Sequence, residues 1–204
     1  MGDTSHKFIE PLLNDVTDRS IAVDGGAYMG VWSGAFASRF GRVISFELCP
    51  YAYRGLIKNL GGFIASGNVV PLNIALGQHE KEVFFTGSMK ADSPIKRVYP
   101  AGDGEESFPQ PPISPPVQML PLDSFDLPSL GLLKLDLQGY DYFALLGAEK
   151  TIKKFRPPVY VEIDAACQRV FGVFGKAQEF LTSLGYKEAR QCGDEALWLP
   201  CTAS

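Results

Sequence analysis

The segment Val23-Asp24-Gly25-Gly26-Ala27-Tyr28-Met29-Gly30 sets an acid and two glycines at the spacing acid–x–Gly–x–x–x–Gly, where a short apolar run gives way to a helical pattern. Those residue types at that spacing suit capture of a nucleoside-bearing ligand. Gly26 can take a positive φ and lets the backbone approach a ligand with no Cβ between them. Gly30 lets the following helix pack closely on a strand. The helix start offers unpaired N–H groups to a ligand carboxylate, and Asp24 would face an ammonium group or its bound water. The spacing is not the GxGxxG of dinucleotide enzymes. Glu47, some 20 residues further on, can accept both hydrogen bonds of a ribose diol. Asn73 can turn its side-chain amide to an adenine edge. A lone glycine turn often serves packing only; Glu47 and Asn73 at successive strand ends make it a ligand site.

A second group of chemistry-bearing residues follows a long Pro-rich stretch. In Leu132–Leu137, Leu133, Leu135 and Leu137 alternate with Lys134 and Asp136. Central parallel strands are normally apolar on both faces, so Lys134 needs a partner, and Asp24, Asp136 or Glu162 could supply it. A structural ion pair is the plain explanation. Asp136 ends its strand beside the expected crevice, followed by Leu137-Gln138-Gly139, where an acid can orient an acceptor hydroxyl or take its proton.

The elements that must hold these groups alternate. Helical spacing covers Thr4–Val16, a strand Ser20–Asp24, a helix Tyr28–Phe40 and a strand Arg42–Glu47. A helix Tyr51–Leu60 and a strand Asn68–Ile74 follow. After an edge strand at Glu82–Thr86 comes Gly87–Pro116, rich in Pro, Gly and Ser, which predicts either a functional lid or an irregular insertion. Alternation resumes with the strand Leu132–Leu137, a helix Tyr140–Lys154, a strand Val159–Ile163 and a helix Phe174–Leu184. A hairpin of Tyr186–Gln191 and Ala196–Leu199 closes the chain. This order predicts a parallel α/β sheet with an antiparallel ending, in a single domain over 1–204.

Composition excludes little and supports that reading. The chain has 204 residues, 46% of them hydrophobic and 21% charged, with net charge −4. That balance gives no general pull toward nucleic acid or anionic membrane. No apolar run reaches the roughly 18 residues of a membrane span, and the polar start lacks a secretion pattern, so a cytoplasmic location is expected. Four cysteines at no metal-site spacing and only two histidines argue against a metal centre.

Together these segments resemble the FkbM family of methyltransferases, a branch of the class I S-adenosylmethionine-dependent, Rossmann-like fold. The likeness runs from Ile21 to Pro200 through VDGGAYMG, ISFELCP, NIALG, LDSF, LKLDLQGYDYFALLGAE, PPVYVEID and the closing LTSLGYKE and LWLP. It implies a three-layer α/β/α architecture with a mostly parallel seven-stranded sheet and an antiparallel last strand. It also implies methyl transfer to an oxygen of a sugar or other small hydroxylated compound. By matching position, Asp24, Gly26 and Gly30 would hold the methionine part of S-adenosylmethionine, Glu47 the ribose, and Asn73 and Ile74 the adenine end. Ala27, Tyr28, Leu48 and Asp136 belong to the same cofactor-binding set, and Asp136, with Gln138, also to the reaction centre.

The chain departs from the family pattern in three places. Tyr28 stands where the family has Asn, Leu48 where it has Pro, and Gln138 where Asp-x-Glu-Gly has its Glu. Gln138 keeps hydrogen-bonding capacity but cannot take a proton. A protein that binds S-adenosylmethionine with altered catalysis is therefore the alternative reading. A nicotinamide-dependent oxidoreductase is disfavoured by the glycine spacing, and nucleic-acid modification by the missing basic run.

Overall fold

The computed structural model describes residues 6–86, 97–100 and 116–201. Its first helix, α1 (His6–Asn14), leads to the strand β1 (Ile21–Gly25), the helix α2 (Val31–Ala37) and the strand β2 (Arg42–Phe46). The helices α3 (Pro50–Asn59) and α4 (Gly61–Ala65) precede β3 (Val69–Leu72). Four short strands come next: β4 (Ala75–Leu76), β5 (Lys81–Thr86), β6 (Arg97–Pro100) and β7 (Val117–Leu120). The second half holds β8 (Leu132–Leu135), α5 (Asp141–Leu146), α6 (Glu149–Phe155), β9 (Val159–Glu162) and α7 (Ala165–Val170). It ends with α8 (Lys176–Ser183), β10 (Tyr186–Cys192) and β11 (Glu195–Pro200).

Seven strands form the main sheet in the order β10-β11-β9-β8-β1-β2-β3. The pairs from β9 to β3 are all parallel, while β11 runs antiparallel to both neighbours. The expected mostly parallel sheet with an antiparallel last strand is what the chain builds. Period-two alternation sends successive side chains to opposite faces. Ile21, Val23, Leu133, Leu135, Val159 and Val161 meet Ala144, Leu145, Ile152 and Leu181 of α5, α6 and α8 on one face. Ala22, Val43, Leu132 and Tyr160 meet Ile9, Leu13, Phe36 and Leu56 of α1, α2 and α3 on the other. The result is three layers with two apolar cores.

Several expectations are corrected. Glu82–Thr86 is no edge strand: β5 lies between β7 and β6 in a second, four-stranded sheet of order β4-β7-β5-β6. Arg97–Pro100 forms a strand inside the stretch read as irregular, with its one proline at its last position. The rest of that stretch up to residue 115, like residues 1–5, lies outside the described residues. The third strand stops at Leu72, leaving Asn73 and Ile74 beyond it, and the fourth at Leu135, leaving Asp136 and Leu137 beyond it. The helix expected over Tyr140–Lys154 is two helices, broken at Gly147–Ala148, where a Cβ on Gly147 would overlap the Gly77 carbonyl. That contact seats the end of α5 against the second sheet.

Candidate active site

Register lines up the site. Leu72, Phe46, Gly25, Leu135 and Val161 are mutual partners across β3, β2, β1, β8 and β9. The residue after each is Asn73, Glu47, Gly26, Asp136 and Glu162. One row at the carboxyl edge of the sheet therefore carries three acids, an amide and the key glycine, at the edge where ligands bind in open α/β folds. Glu47 and Asp136 flank Gly26, two strand spacings apart, or about 10 Å along the row.

A cavity of about 560 Å³, counted to its open mouth, lies over this edge. Of the residues singled out from sequence, Gly26, Tyr28, Glu47, Leu48, Ile74, Asp136 and Gln138 line it. Phe46, Leu76, Leu137 and Tyr140 add apolar and aromatic wall. The sequence carries no signal that sets these four apart as site residues, since wall residues of a crevice have the same composition as core.

Asp24, Ala27, Gly30 and Asn73 are not among the lining residues. Asp24 is wholly buried between Lys134 and α2, with Lys134 Nζ 3.0 Å from its Oδ1 and Ser33 Oγ donating to its Oδ2 at 2.6 Å. Ser33 also shares a 2.7 Å hydrogen bond with Ser45. Of the three partners considered for Lys134, Asp24 is the close one; Asp136 Oδ2 lies at 3.9 Å, and Glu162 is engaged elsewhere. Gly30, at φ 88, packs against Leu56 of α3 and Leu60 just past its end rather than against a strand. Asn73 Nδ2 donates to the Glu47 and Leu48 carbonyls at 2.7 and 3.1 Å, tying β3 to the end of β2.

The turn after β1 is tight for reasons of backbone. A Cβ on Gly26, at φ 75, would overlap the Asp136 carbonyl oxygen, so the glycine brings β1 against β8 as well as opening the crevice. Tyr28 takes φ 49, left-handed territory where Asn is better tolerated. Its backbone N–H donates to Glu47 Oε2 at 2.7 Å, and Cys49 N–H donates to Oε1 at 2.7 Å. These bonds fix the Glu47 carboxylate in the cavity wall.

On the other side of Gly26 the acids are held by one amide. Gln138 Nε2 donates to Asp136 Oδ1 at 3.0 Å and to Glu162 Oε1 at 2.9 Å. Gln138 has φ 55, a strained conformation for a side chain of that size. Asp141 holds the loop in place, accepting from Leu137 N–H and Gly139 N–H at 3.0 and 3.1 Å. Burial, then the charge of Asp136, pushes the Glu162 carboxyl up to about 9 and Asp141 up to about 7. Asp136, with 31% of its side chain exposed, is the carboxylate of this group that meets solvent in the cavity. Asp141 was missed from sequence, its only signal being an acid at the first position of a helix after a Gly.

The comparisons with known proteins bear on this edge. A family model described as the methyltransferase FkbM domain matches residues 24–188, from Asp24 through every row residue to β10. The chain belongs to the FkbM methyltransferase family. It thus carries a methyltransferase domain of the S-adenosylmethionine-dependent class. Among solved structures, an FkbM methyltransferase from Methylobacillus flagellatus KT superposes with TM-score 0.61 and 14% identity, covering 89% of this chain. This chain spans only 43% of that one. A putative methyltransferase from Streptococcus mutans, in complex with SAH, superposes at TM-score 0.56 and 11% identity over 97% of each chain. An rRNA methylase from Streptococcus thermophilus does so at 0.52 and 13% over 99% of each. At these identities the likeness is one of fold. No curated protein matches the chain.

S-adenosylmethionine fits what the FkbM domain presents here. The cavity lies at the carboxyl ends of the strands, where ligands bind in open α/β folds. It combines an apolar wall (Phe46, Leu48, Ile74, Leu76) with a fixed carboxylate, Glu47, and a close backbone turn at Gly26.

Proposed function

We propose that the chain methylates a hydroxyl group of a sugar or other small hydroxylated compound, with Asp136 at the reaction centre. Asp136 carries this reading: it is partly exposed in the cavity, one residue past β8, with Gln138 fixing one oxygen and Lys134 near the other. Glu47 would hold the ribose hydroxyls, Leu48 and Ile74 would flank the adenine, and Gly26 and Tyr28 would border the methionine part. Asp24, Ala27, Gly30 and Asn73 would act through the turn and strand ends they fix. Lys134 Nζ donates to the Gly26 carbonyl at 3.2 Å, so the Asp24–Lys134 pair sets the position of that turn.

S-adenosylmethionine supplies, when bound, a methyl group on a sulfonium centre. The acceptor oxygen would take that methyl group, leaving the sulfur as a thioether, and the hydroxyl proton would pass to Asp136. Such displacement depends mainly on in-line placement near 3 Å and exclusion of water, so an ordinary carboxylate suffices as proton acceptor. Gln138 supports this role in place of an acid: its amide N–H groups hold two carboxyls that a third carboxylate would repel. No helix among the described residues is long and apolar enough to cross a membrane. All four cysteines are free thiols, which supports the cytoplasmic location.

Calorimetric titration with S-adenosylmethionine, with NAD as competitor and Glu47→Ala as control, tests the cofactor site. Release of S-adenosylhomocysteine with a panel of hydroxylated acceptors tests transfer. Tight cofactor binding with no turnover on any acceptor would favour the altered-catalysis reading instead.

A further inference from the structure

Glu162 stands beside Asp136 in the row, and Gln138 joins the two. We propose that Glu162 is a positioning residue for the proton transfer: as a buried neutral acid it anchors the far side of the Gln138 amide, so that Gln138 holds Asp136 as the ionised member of the pair, with Oδ2 left for the reacting hydroxyl. Glu162 itself neither gives nor takes a proton in the reaction. This role rests on the reading of the cavity as a methyl-transfer site.

Both acids follow register partners, Leu135 of β8 and Val161 of β9, so their backbones lie about 4.8 Å apart along the row. Two carboxyls that close resist ionising together when water is kept away. Burial decides between them. Glu162 is only 9% exposed, whereas 31% of the Asp136 side chain meets solvent. The hydrogen bonds agree. Gln138 Nε2 donates one hydrogen to Asp136 Oδ1 and the other to Glu162 Oε1. The reversed amide would set its oxygen against the Asp136 carboxylate. Glu162 Oε1 is therefore the carbonyl oxygen of a neutral carboxyl, and its proton sits on Oε2. That oxygen is buried with no hydrogen-bond partner among the described residues. Ionised, it would carry the full cost of a buried, unpaired charge.

The surroundings of Glu162 are mostly acidic. Asp136 and Asp141 act on it from the turn after β8 and the start of α5, and Asp164 from the N-cap of α7. Cys167 follows on α7, and Glu195 is the register partner of Glu162 on β11. Lys134, on β8, is held by Asp24. Burial first, and then the charge of Asp136, keeps the proton on Glu162 up to about 9. Gln138 needs this second anchor because its backbone is strained at φ 55. Without Glu162 the amide loses one of its two side-chain partners and is free to turn away from Asp136. An ionised Glu162 would instead repel the Asp136 carboxylate from its place.

The test uses the full chain. S-adenosylmethionine binding is measured first by calorimetry. Release of S-adenosylhomocysteine is then followed with the panel of hydroxylated acceptors, among them methyl α-glucopyranoside, methyl α-mannopyranoside and catechol. Glu162→Gln copies the shape and neutrality of the protonated acid, whereas Glu162→Leu removes the oxygen that Gln138 needs. Glu162→Leu should lower kcat about tenfold, the effect of one lost hydrogen bond, with S-adenosylmethionine affinity within about threefold of the parent's. Glu162→Gln should bring kcat back to within about threefold of the parent. The parent's kcat should fall as pH passes about 9, and Glu162→Gln should lack that fall. Carbon-13 NMR should show a glutamic acid carboxyl still protonated at neutral pH in the parent and absent from Glu162→Gln. An ionised Glu162 at neutral pH overturns the proposal. So does a parent-like kcat in Glu162→Leu, a kcat in Glu162→Gln no higher than in Glu162→Leu, or the same alkaline fall in parent and Glu162→Gln. Failure to bind S-adenosylmethionine, or binding without turnover on the whole panel, is a separate outcome, which removes the methyl-transfer reading itself and this role with it.

Discussion

Asp24 and Lys134 face each other in register on β1 and β8, and their side chains meet at 3.0 Å with neither reaching solvent. Burial alone would lower the Lys134 pKa, but Asp24, and then Asp136, outweigh it and hold the ammonium above its ordinary value. A pair like this adds little net stability over an apolar pair, yet breaking one partner strands a buried charge. Lys134→Met should therefore cost about 3–5 kcal/mol. The double variant Asp24→Asn/Lys134→Met should recover the larger part of that loss. Urea unfolding of the three proteins measures both; a single variant as stable as the parent contradicts the assignment.

Gly26→Ala should be among the costliest small substitutions in the chain. The left-handed backbone and the overlap with the Asp136 carbonyl each contribute about 1–3 kcal/mol. Gly67 provides the control, with φ 76 but nothing within 4 Å of an added Cβ. Gly67→Ala carries only the backbone strain, so its melting temperature should fall much less than that of Gly26→Ala. Equal losses would show that the approach of β1 to β8 is not tight.

The sheet was legible because its strands are buried runs bounded by glycines at βαβ spacing. Gly26, Glu47, Asn73 and Asp136 were legible because each ends such a run. What sequence could not give was direction: Asp24 has the right type and place for a ligand contact, yet period-two alternation turns it into the core against Lys134. The same limit applied to Glu162, one of three acids that could have partnered Lys134, whereas the left-handed turn at Gln138 brings an amide to it instead. The second sheet escaped notice because its strands are short and interrupted by a Pro-rich stretch that reads as loop.

Stability should fall as pH rises through neutrality. Glu162 and Asp141 lose their protons near 4.5 and 3.8 when unfolded, but the fold retains them to about 9 and about 7. Between those limits the folded state binds more protons, so their contribution is fully present below about pH 4 and is lost as pH climbs toward 9. Each such proton gives a slope of up to about 1.4 kcal/mol per pH unit. Glu162→Gln removes the larger share. Its unfolding free energy should be flatter than the parent's across pH 5, 7 and 9, and higher at pH 9. Parallel curves for the two proteins would show that Glu162 is ionised in the fold.

Glu47 and Asp136 flank the same glycine, and their variants should separate binding from chemistry. Glu47 serves the Tyr28 and Cys49 N–H groups and faces the cavity. Glu47→Gln trades one acceptor oxygen for a donor that must meet an N–H or a ribose hydroxyl. Hydrogen bonds to charged groups contribute about 1.5–3 kcal/mol, so S-adenosylmethionine affinity should fall about 10- to 100-fold. Turnover at saturating cofactor should change far less. Asp136→Asn should do the reverse. Its S-adenosylmethionine affinity should stay within about threefold, while loss of the proton acceptor lowers turnover about 100-fold. Calorimetry and steady-state rates at saturating acceptor read the two effects apart. If both variants lose cofactor binding alike, Asp136 belongs to the cofactor site and the proton must leave by another route.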